Sequence, residues 1–395
     1  MTSSSTDNQT DTDTHTVLPF RIAIPDEALA DLRDRLRRSR FPAPLPGDDW
    51  STGVPISTLR DLAARWADHD WRATEQRLNA IPQLVTRIDG QTIHALHVVS
   101  PVADATPLLL THGWPGSFLE FEALIGPLTD PVAHGGTEAD AFHLVIPSLP
   151  GFGFSTPLES AHWPMARIAG AWLELMTRLG YGRFAVQGGD LGAGVAPEVA
   201  RLDPERIIGV HVNGAIGGFI DDSDDEAMAA LTPLERDRMR RVGEFMQHEF
   251  GYIAIQSTRP GLIGAMAADS PVAQLAWMLD KLEAWSHPAE TPAVEVLGEE
   301  FVFANASLYW LTASAGSAAL VGYAQNEGWG EAPADSGVPT AAIQFAHDIG
   351  IRQVAERANT IVRWTDVEDR GGHFAALEEP EMLVADLREF FRSLR

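Results

Sequence analysis

The chain has 395 residues, 45% of them hydrophobic, which is enough for about two or three domains with a large buried core. Its formal net charge of −26 argues against nucleic acid and anionic membrane surfaces as partners. The sequence has no cysteine, so disulfides and thiol chemistry are excluded, and no run approaches the about 18 apolar residues of a membrane span.

The N-terminal region divides into a polar tail and a helical segment. Residues 1–17 are rich in Ser, Thr and Asp and have no apolar signal-peptide core, so they predict a disordered tail and a cytoplasmic protein. Residues 18–82 predict a small helical segment, because apolar side chains recur there at helical spacing. These side chains are Leu29, Leu32, Leu36, Leu59, Leu62 and Trp66.

Short apolar runs then alternate with helical patterns. The predicted strands are 84–88, 92–99, 108–111, 143–146, 184–187, 207–212, 341–345 and 360–364, and the main helices between them are 118–128, 165–179 and 191–202. Alternation of this kind predicts an α/β fold with a mostly parallel, doubly wound sheet. Residues 83–213 and 339–395 would form its core, and residues 214–338, which carry their own helical patterns, would form an inserted helical lid.

The turn Gly188-Gly189-Asp190-Leu191-Gly192 joins a predicted strand to a predicted helix. Small residues around a single reactive side chain are typical of the nucleophile elbow of α/β-hydrolases, where the central residue is usually Ser. Here it is Asp190, and a carboxylate attacks saturated carbon to leave an alkyl ester. Epoxides and alkyl halides are therefore the candidate substrates. The alternative is that Asp190 only caps the helix that begins at Leu191.

Three further segments should meet Asp190, because ligands bind at the carboxyl ends of the strands in such a sheet. The turn after strand 108–111 contains Trp114, whose backbone N–H could form an oxyanion hole with that of Leu191. Asp348 follows strand 341–345, and His373 lies between the last strand and the final helix. The chain order is that of nucleophile, acid and His in α/β-hydrolases.

These residues predict a two-step reaction. Asp190 attacks the substrate carbon, and His373, polarised by Asp348, takes a proton from the water that hydrolyses the ester. The alkoxide that leaves first needs an acid, and a lid tyrosine is suitable because its O–H donates a hydrogen bond. The lid contains Tyr252, Tyr309 and Tyr323, whereas Tyr181 precedes the elbow strand and is predicted to be structural.

The motifs resemble those of the microsomal-type epoxide hydrolase family over nearly the whole chain. They are Pro19-Phe20-Arg21-Ile22, His112-Gly113-Trp114-Pro115-Gly116-Ser117, Gly188-Gly189-Asp190-Leu191-Gly192 and Arg370-Gly371-Gly372-His373-Phe374. The resemblance implies Asp190 as nucleophile, Asp348 as acid and His373 as base, with no cofactor and no metal. It also implies that His112, Gly113 and Pro115 contact the substrate, a small-molecule epoxide that reacts with water.

Two lid residues take their roles from this resemblance. Residues 250–260 resemble the family segment that carries one acid tyrosine, here Tyr252. A second tyrosine is expected downstream of Asn305–Trp310 at a position that is Gly322 in this chain, so either the next residue, Tyr323, is the second donor or the chain lacks one. Relatives often form dimers, so a homodimer is expected. The resemblance to soluble bacterial relatives also implies that the chain lacks the membrane anchor of the animal members.

Two other functions stay open at this point. A haloalkane dehalogenase also uses an aspartate at the elbow, but its relatives usually place a halide-binding Trp directly afterwards, where this chain has Leu191. A degenerate hydrolase fold could bind a ligand without catalysis, although the intact set of Asp190, Asp348 and His373 argues against it. A serine esterase is disfavoured because the elbow has no serine.

Overall fold

The computed structural model of the chain describes residues 16–216, 225–323 and 334–395. Its described strands form one nine-stranded sheet in the order β1-β2-β3-β5-β4-β6-β7-β8-β9. They are β1 (Leu18–Pro19), β2 (Gln83–Ile88), β3 (Gln91–Val98), β4 (Thr106–Thr111), β5 (Phe142–Pro147), β6 (Phe184–Gly189), β7 (Ile207–Asn213), β8 (Pro339–Gln344) and β9 (Thr360–Asp366). The pairs β1–β2, β2–β3 and β3–β5 are antiparallel. The remaining five pairs, from β5–β4 to β8–β9 in the sheet order, are parallel. This confirms the predicted α/β-hydrolase architecture.

Helices cover both faces of this sheet, and further helices make up the two long segments between β1 and β2 and between β7 and β8. They are α1 (Asp26–Arg37), α2 (Ile56–Ala67), α3 (Trp71–Leu78), α4 (Glu122–Thr129), α5 (Met165–Arg178), α6 (Leu191–Leu202), α7 (Asp225–Ala230), α8 (Pro233–Glu244), α9 (Gly251–Thr258), α10 (Pro260–Asp269), α11 (Pro271–Trp285), α12 (Ala293–Val296), α13 (Glu299–Leu311), α14 (Ala315–Tyr323), α15 (Arg352–Ala355), α16 (Ala375–Glu378) and α17 (Pro380–Arg392). None of these helices is both long and apolar enough to cross a bilayer.

The two faces of β4 show why the sheet is buried on both sides. Side chains alternate across a strand, so Leu109 faces the core that α5 and α6 cover, whereas Leu108 and Leu110 face the core that α4 and α17 cover. All three leucines are at most 1% exposed. Parallel strands that are covered on both faces read as continuous apolar runs, which is the pattern that predicted them.

The helix predicted over 118–128 is present, but its first turn is 3₁₀-helical rather than α-helical. A 3₁₀-helical turn spans Phe118–Phe121 before α4 begins, and the side chain of Ser117 accepts a hydrogen bond from the backbone N–H of Leu119 at its start. The strand β1 was not predicted, and α3 lies inside the predicted helical segment 18–82 without having been predicted as a separate helix. A two-residue strand carries no periodicity, and α3 begins at a cap supplied by Asp70, whose carboxylate accepts the N–H groups of Arg72 and Ala73.

The helices between β7 and β8 lie over the carboxyl ends of the parallel strands. Two of them, α10 and α14, approach closely because glycines meet at their contact: a Cβ atom on Gly316 would lie 2.8 Å from the Cα atom of Gly264. The N-terminal helices pack against the same layer, where the indole N–H of Trp66 donates to the hydroxyl of Ser307 at 2.8 Å. The sheet edge that carries the predicted site residues is therefore covered.

Candidate active site

The turn between β6 and α6 presents Asp190 at the end of the sheet. Asp190 has φ 53° and ψ −120°, a strained conformation for a residue with a side chain. The turn is so tight that a Cβ atom on Gly188 would lie 2.2 Å from the carbonyl oxygen of Gly192, and one on Gly192 would lie 2.0 Å from that of Thr111. Its carboxylate accepts no capping hydrogen bond from α6. The helix-capping alternative for Asp190 is therefore wrong.

The carboxylate of Asp190 is held by two groups from distant parts of the chain. Its Oδ1 atom accepts the backbone N–H of Trp114 at 2.9 Å, and its Oδ2 atom lies 3.3 Å from Nε2 of His373. A Cβ atom on Gly113 would lie only 2.1 Å from Oδ1, so a glycine is required there. The structure therefore brings together three residues that the sequence predicted: nucleophile, oxyanion-hole donor and base.

His373 lies in a loop whose glycines bring its backbone close to the lid. Gly371 has φ 73°, and the backbone N–H of His373 donates to the carbonyl of Trp285 at 3.0 Å. The imidazole contacts the rings of Trp285 and Phe374, each with its centroid 5.0 Å away. Burial alone would lower the pKa of His373, but the hydrogen bond to Asp190 and the charges of Asp190 and Asp348 outweigh it and raise the pKa.

Asp348 is buried in the loop after β8, where its Oδ2 atom accepts the backbone N–H of Phe345 at 2.7 Å. Burial raises the pKa of Asp348 to about 6, against the lowering effects of that hydrogen bond and of His373, Arg238 and Arg241. Within the described ranges no hydrogen bond joins Asp348 to His373, so the two interact here through charge. The neighbouring His347 stays neutral, since burial first and the charge of His373 next lower its pKa to about 4.

The loop that carries Trp114 is fixed by an imidazole and by the lid. The Nδ1 atom of His112 donates to the carbonyl of Gly113 at 3.0 Å, and its Nε2 atom accepts the backbone N–H of Leu149 at 3.2 Å. Burial lowers the pKa of His112 to about 4, which agrees with a neutral ring that uses one nitrogen as donor and the other as acceptor. His112 therefore positions the loop rather than offering a ring nitrogen to a substrate.

Two side chains of α13 bind the backbone of the loop that carries Trp114. The amide Nδ2 of Asn305 donates to the carbonyl of Pro115 at 2.8 Å, and the hydroxyl of Tyr309 donates to that of Gly116 at 2.7 Å. The sequence reasoning assigned neither contact. The available signal was their spacing of four residues on an otherwise apolar helix, which places both polar groups on one face.

An apolar cavity of about 660 Å³ opens above Asp190. Its wall contains Leu191, Phe245, Tyr252 and Trp285, and Asp190, Asp348 and His373 also line it. This volume is in the range of small-molecule sites. The structure thus places the predicted catalytic residues at the bottom of a pocket that an apolar compound can fill.

Tyr252 is the predicted acid whose position the structure gives. The residue is 8% exposed, and its ring stacks on that of Trp114 with centroids 5.3 Å apart and planes at 13° and makes an edge contact with Trp285 at 5.3 Å. The ammonium group of Lys281 lies 5.3 Å from the centroid of the same ring. Tyr252 is therefore fixed beside the residue whose N–H binds Asp190.

The second predicted tyrosine, Tyr323, ends α14, and its side chain lies outside the described part of the structure. The position before it borders the site, because a Cβ atom on Gly322 would lie 3.3 Å from Cδ1 of Leu191. Of the residues predicted to contact substrate, Gly113 lines the smaller cavity described next and lies against Asp190, whereas Pro115 lines neither that cavity nor the apolar one. Tyr181, which was predicted to be structural, has its hydroxyl 2.8 Å from Nε2 of His97 and lines neither cavity.

A second, much smaller cavity adjoins the same catalytic pair. It has a volume of about 10 Å³ and is lined by Asp190, His373, Glu120, Asn213 and His112. Glu120, on the 3₁₀ turn after the Trp114 loop, is the titratable residue of this site that the sequence reasoning missed. Burial raises the pKa of its carboxyl to about 8; the charge of His373 opposes this rise and that of Asp190 adds to it.

Comparisons with known proteins agree on one family. Residues 17–121 match the family described as "Epoxide hydrolase N terminus", and residues 106–249 match the "alpha/beta hydrolase fold" family. A protein of Stigmatella aurantiaca named "Putative epoxide hydrolase" is 42% identical over 382 residues, which cover 96% of this chain and 86% of that protein. "Epoxide hydrolase 1" of Oryctolagus cuniculus is 32% identical over 409 residues, which cover 95% of this chain and 88% of the relative.

A solved structure extends the likeness to three dimensions. The structure of Aspergillus niger epoxide hydrolase superposes with a TM-score of 0.82 at 32% sequence identity, and the match covers 97% of this chain and 98% of that one. The similarity therefore includes the N-terminal helices, the sheet and the helices above it.

Proposed function

Because the chain belongs to the epoxide hydrolase family and is an epoxide hydrolase with the α/β-hydrolase fold, we propose that it opens its substrate by a two-step covalent mechanism on Asp190. The observation that carries the proposal is the setting of the Asp190 carboxylate. It lies at the bottom of the 660 Å³ apolar cavity, with Oδ1 bound to the N–H of Trp114 and Oδ2 beside His373.

In the first step, Oδ2 of Asp190 attacks a carbon of the epoxide ring. A new C–O bond forms, the ring C–O bond breaks, and the electron pair of that bond moves to the epoxide oxygen. Tyr252 lines the cavity, and we assign to its hydroxyl the proton that this oxygen takes up. The product of the step is an alkyl ester of Asp190, whose carbonyl oxygen is Oδ1.

In the second step, water hydrolyses this ester. His373 accepts one proton of the water while the oxygen attacks the carbonyl carbon of Asp190, and the negative charge develops on Oδ1. The N–H of Trp114 already binds Oδ1, and the N–H of Leu191 at the start of α6 would be the second donor. When the ester C–O bond breaks, its electron pair goes to the leaving alkoxide oxygen, which takes the proton held by His373 and completes the vicinal diol. The carboxyl group left on Asp190 gives up its proton, and the tyrosinate of Tyr252 regains one, so that carboxylate, imidazole and phenol are all restored.

The lining of the cavity suggests the class of substrate. Leu191, Phe245, Tyr252 and Trp285 present apolar and aromatic surface, so we propose an epoxide with an apolar substituent on the ring. Leu191 follows the nucleophile where a halide-binding Trp would stand, and the comparisons identify the chain as an epoxide hydrolase rather than a haloalkane dehalogenase.

A single turnover in heavy-oxygen water tests the covalent route. With enzyme in excess over styrene oxide, we expect the label in the peptide that contains Asp190, because the water oxygen bonds to the ester carbonyl carbon and stays in the carboxylate when the diol leaves. The peptide that contains Asp348 serves as the unlabelled control, and Asp190→Asn should give no diol. A label that enters the diol directly, with an unlabelled Asp190, would contradict the mechanism.

Other features of the chain stay predictions. We propose that residues 18–82 form an N-terminal helical segment, that 83–213 and 339–395 form the hydrolase core, and that 214–338 form the lid. The cytoplasmic location and the homodimer rest on the sequence reasoning alone. Cell fractionation tests the first, and light scattering of the purified protein tests the second.

A further inference from the structure

The smaller cavity is the feature of the site that the mechanism above does not use. Its volume of about 10 Å³ corresponds to one water molecule. It shares Asp190 and His373 with the apolar cavity, but its other walls are different and include Glu120 and Asn213. A water molecule placed there would therefore reach both reacting groups of the second step without occupying the space of the substrate.

The backbone around Glu120 is shaped to hold its carboxyl group in this place. A Cβ atom on Gly116 would lie 1.4 Å from Oε1 of Glu120, so the carboxyl group packs directly on the peptide backbone at that glycine. The carbonyl of the same Gly116 accepts the hydroxyl of Tyr309. The loop that supplies the oxyanion-hole donor and the carboxyl group of Glu120 are thus parts of one fixed unit.

Asn213 completes the polar wall of the small cavity. It ends β7 next to the elbow, where its Oδ1 atom accepts the amide of Gln187 at 2.8 Å. A Cβ atom on Gly189 would lie 2.5 Å from its Nδ2 atom, which has no hydrogen-bond partner in the ranges that the structure describes. The cavity therefore offers a donor at Asn213 and an acceptor at Glu120, beside the imidazole of His373.

We propose that this cavity is the binding site of the hydrolytic water and that Glu120 is the residue that positions it. The proposal rests on the covalent mechanism and adds to it the place from which water attacks. One hydrogen of the water points to Nε2 of His373, the second to a carboxyl oxygen of Glu120, and Nδ2 of Asn213 donates to the water oxygen.

The proton balance of the step assigns no proton transfer to Glu120. The water oxygen forms a bond to the carbonyl carbon of Asp190, and the proton of the broken O–H bond goes to His373. Glu120 only accepts the hydrogen bond of the other O–H group. A carboxyl group with a raised pKa is protonated at neutral pH and still accepts through its carbonyl oxygen, so an amide should replace it.

Variants at this position separate the two steps. Glu120→Met keeps nearly the same shape but removes the acceptor, so we expect ester hydrolysis to slow about tenfold or more, while Asp190 alkylation stays within about twofold of the wild type. Glu120→Gln keeps an acceptor oxygen and should retain ester hydrolysis within about threefold. The rates come from rapid-quench single turnovers of styrene oxide, with the ester followed by intact-protein mass spectrometry.

The steady-state constants kcat and KM distinguish a role in the second step from a merely structural role. When only the second step slows, kcat and KM fall together and kcat/KM is unchanged, because kcat/KM reports the steps up to alkylation. Glu122→Gln is the matched control: Glu122 lies two residues further on, ion-pairs with Arg77, and lines neither cavity. It should leave both steps unchanged. Glu120→Leu serves the same purpose as Glu120→Met if the Met variant does not fold.

Three results would overturn the assignment. They are wild-type ester hydrolysis in Glu120→Met, an equal loss of alkylation and hydrolysis in that variant, and a Glu120→Gln variant as slow as the Met variant. Each leaves the covalent mechanism standing, provided that the wild type forms the Asp190 ester. A wild type that forms no ester defeats the proposed function itself, so the two failures are distinguishable.

Discussion

Nε2 of His373 lies 3.3 Å from Oδ2 of Asp190, so the proposed base is first the counterion of the nucleophile. Burial lowers the pKa of His373, and the hydrogen bond and charge of Asp190 are the largest effects that raise it. Alkylation turns Asp190 into a neutral ester, which removes both of these effects. The pKa of His373 should therefore fall once the ester has formed, and a neutral imidazole becomes available for the water.

This relationship predicts that His373→Gln separates the two steps. Alkylation of Asp190 needs no base, because a carboxylate is already ionised, whereas hydrolysis of the ester should slow by about 10²- to 10⁴-fold. Intact-protein mass spectrometry after brief exposure to styrene oxide should therefore show the variant carrying the mass of one substrate. His347→Gln is the matched control, because His347 lines the same cavity with a lowered pKa; an ester that accumulates in this control instead would contradict the assignment of the base.

Removal of the Asp348 charge should shift the pH dependence of ester hydrolysis. Its negative charge raises the pKa of His373, so Asp348→Asn should lower that pKa. The rate of ester hydrolysis rises with pH as His373 loses its proton. The rising limb should therefore move to lower pH in the variant, and the plateau should fall about tenfold because His373 is then a weaker base. Single-turnover hydrolysis measured between pH 5 and 9, roughly the range in which a histidine titrates, checks both effects. A limb that stays in place or moves upward would contradict the electrostatic role of Asp348.

The sequence predicted the parts of this site that depend on local backbone geometry. Asp190 was identifiable because a tight turn requires small residues on either side of one reactive side chain. His373 and Asp348 were identifiable by their positions after strands in a parallel sheet, whose carboxyl ends meet at one edge. The sheet itself was predictable for a related reason: strands buried on both faces, such as β4, are continuous apolar runs.

The remaining parts depend on contacts between distant segments. The hydroxyl of Tyr309 meets the carbonyl of Gly116 across 193 positions of the sequence, and the amide of Asn305 meets that of Pro115 across 190. Helical spacing places both side chains on one face but does not identify what that face contacts. Glu120 was missed because residues 118–121 were expected to begin an ordinary helix, in which a glutamate is usually solvent-exposed.

The position of the Asp190 carboxylate requires a residue without a side chain at Gly113. A Cβ atom there would lie 2.1 Å from Oδ1 of Asp190, so Gly113→Ala must displace the carboxylate from its place beside Trp114. We expect alkylation to slow about 100-fold or more, since small displacements of reacting groups have effects of this size. Single-turnover alkylation measures the loss.

A glycine in open space provides the control for that substitution. Gly170 lies in α5, and a Cβ atom on it would meet nothing within 4 Å. Gly170→Ala should leave alkylation unchanged and raise the free energy of unfolding by about 0.5–1 kcal/mol, because alanine restricts the unfolded chain more than glycine does. Chemical denaturation measures the second effect. Wild-type alkylation in Gly113→Ala would show that the carboxylate does not need the position seen here.

Removal of the Tyr252 hydroxyl should slow alkylation of Asp190 without affecting hydrolysis of the ester. Tyr252→Phe keeps the ring that stacks on Trp114 at 5.3 Å and removes only the hydroxyl proposed to protonate the epoxide oxygen. Alkylation should slow about 10²-fold or more, whereas hydrolysis of an ester already formed should not change, because that step uses His373. Tyr181→Phe is the matched control, since the Tyr181 hydroxyl contacts His97 and lines neither cavity. Unimpaired alkylation in Tyr252→Phe would mean that another group donates the proton. If alkylation then slows when Tyr323→Phe is added to that variant, Tyr323 is that donor.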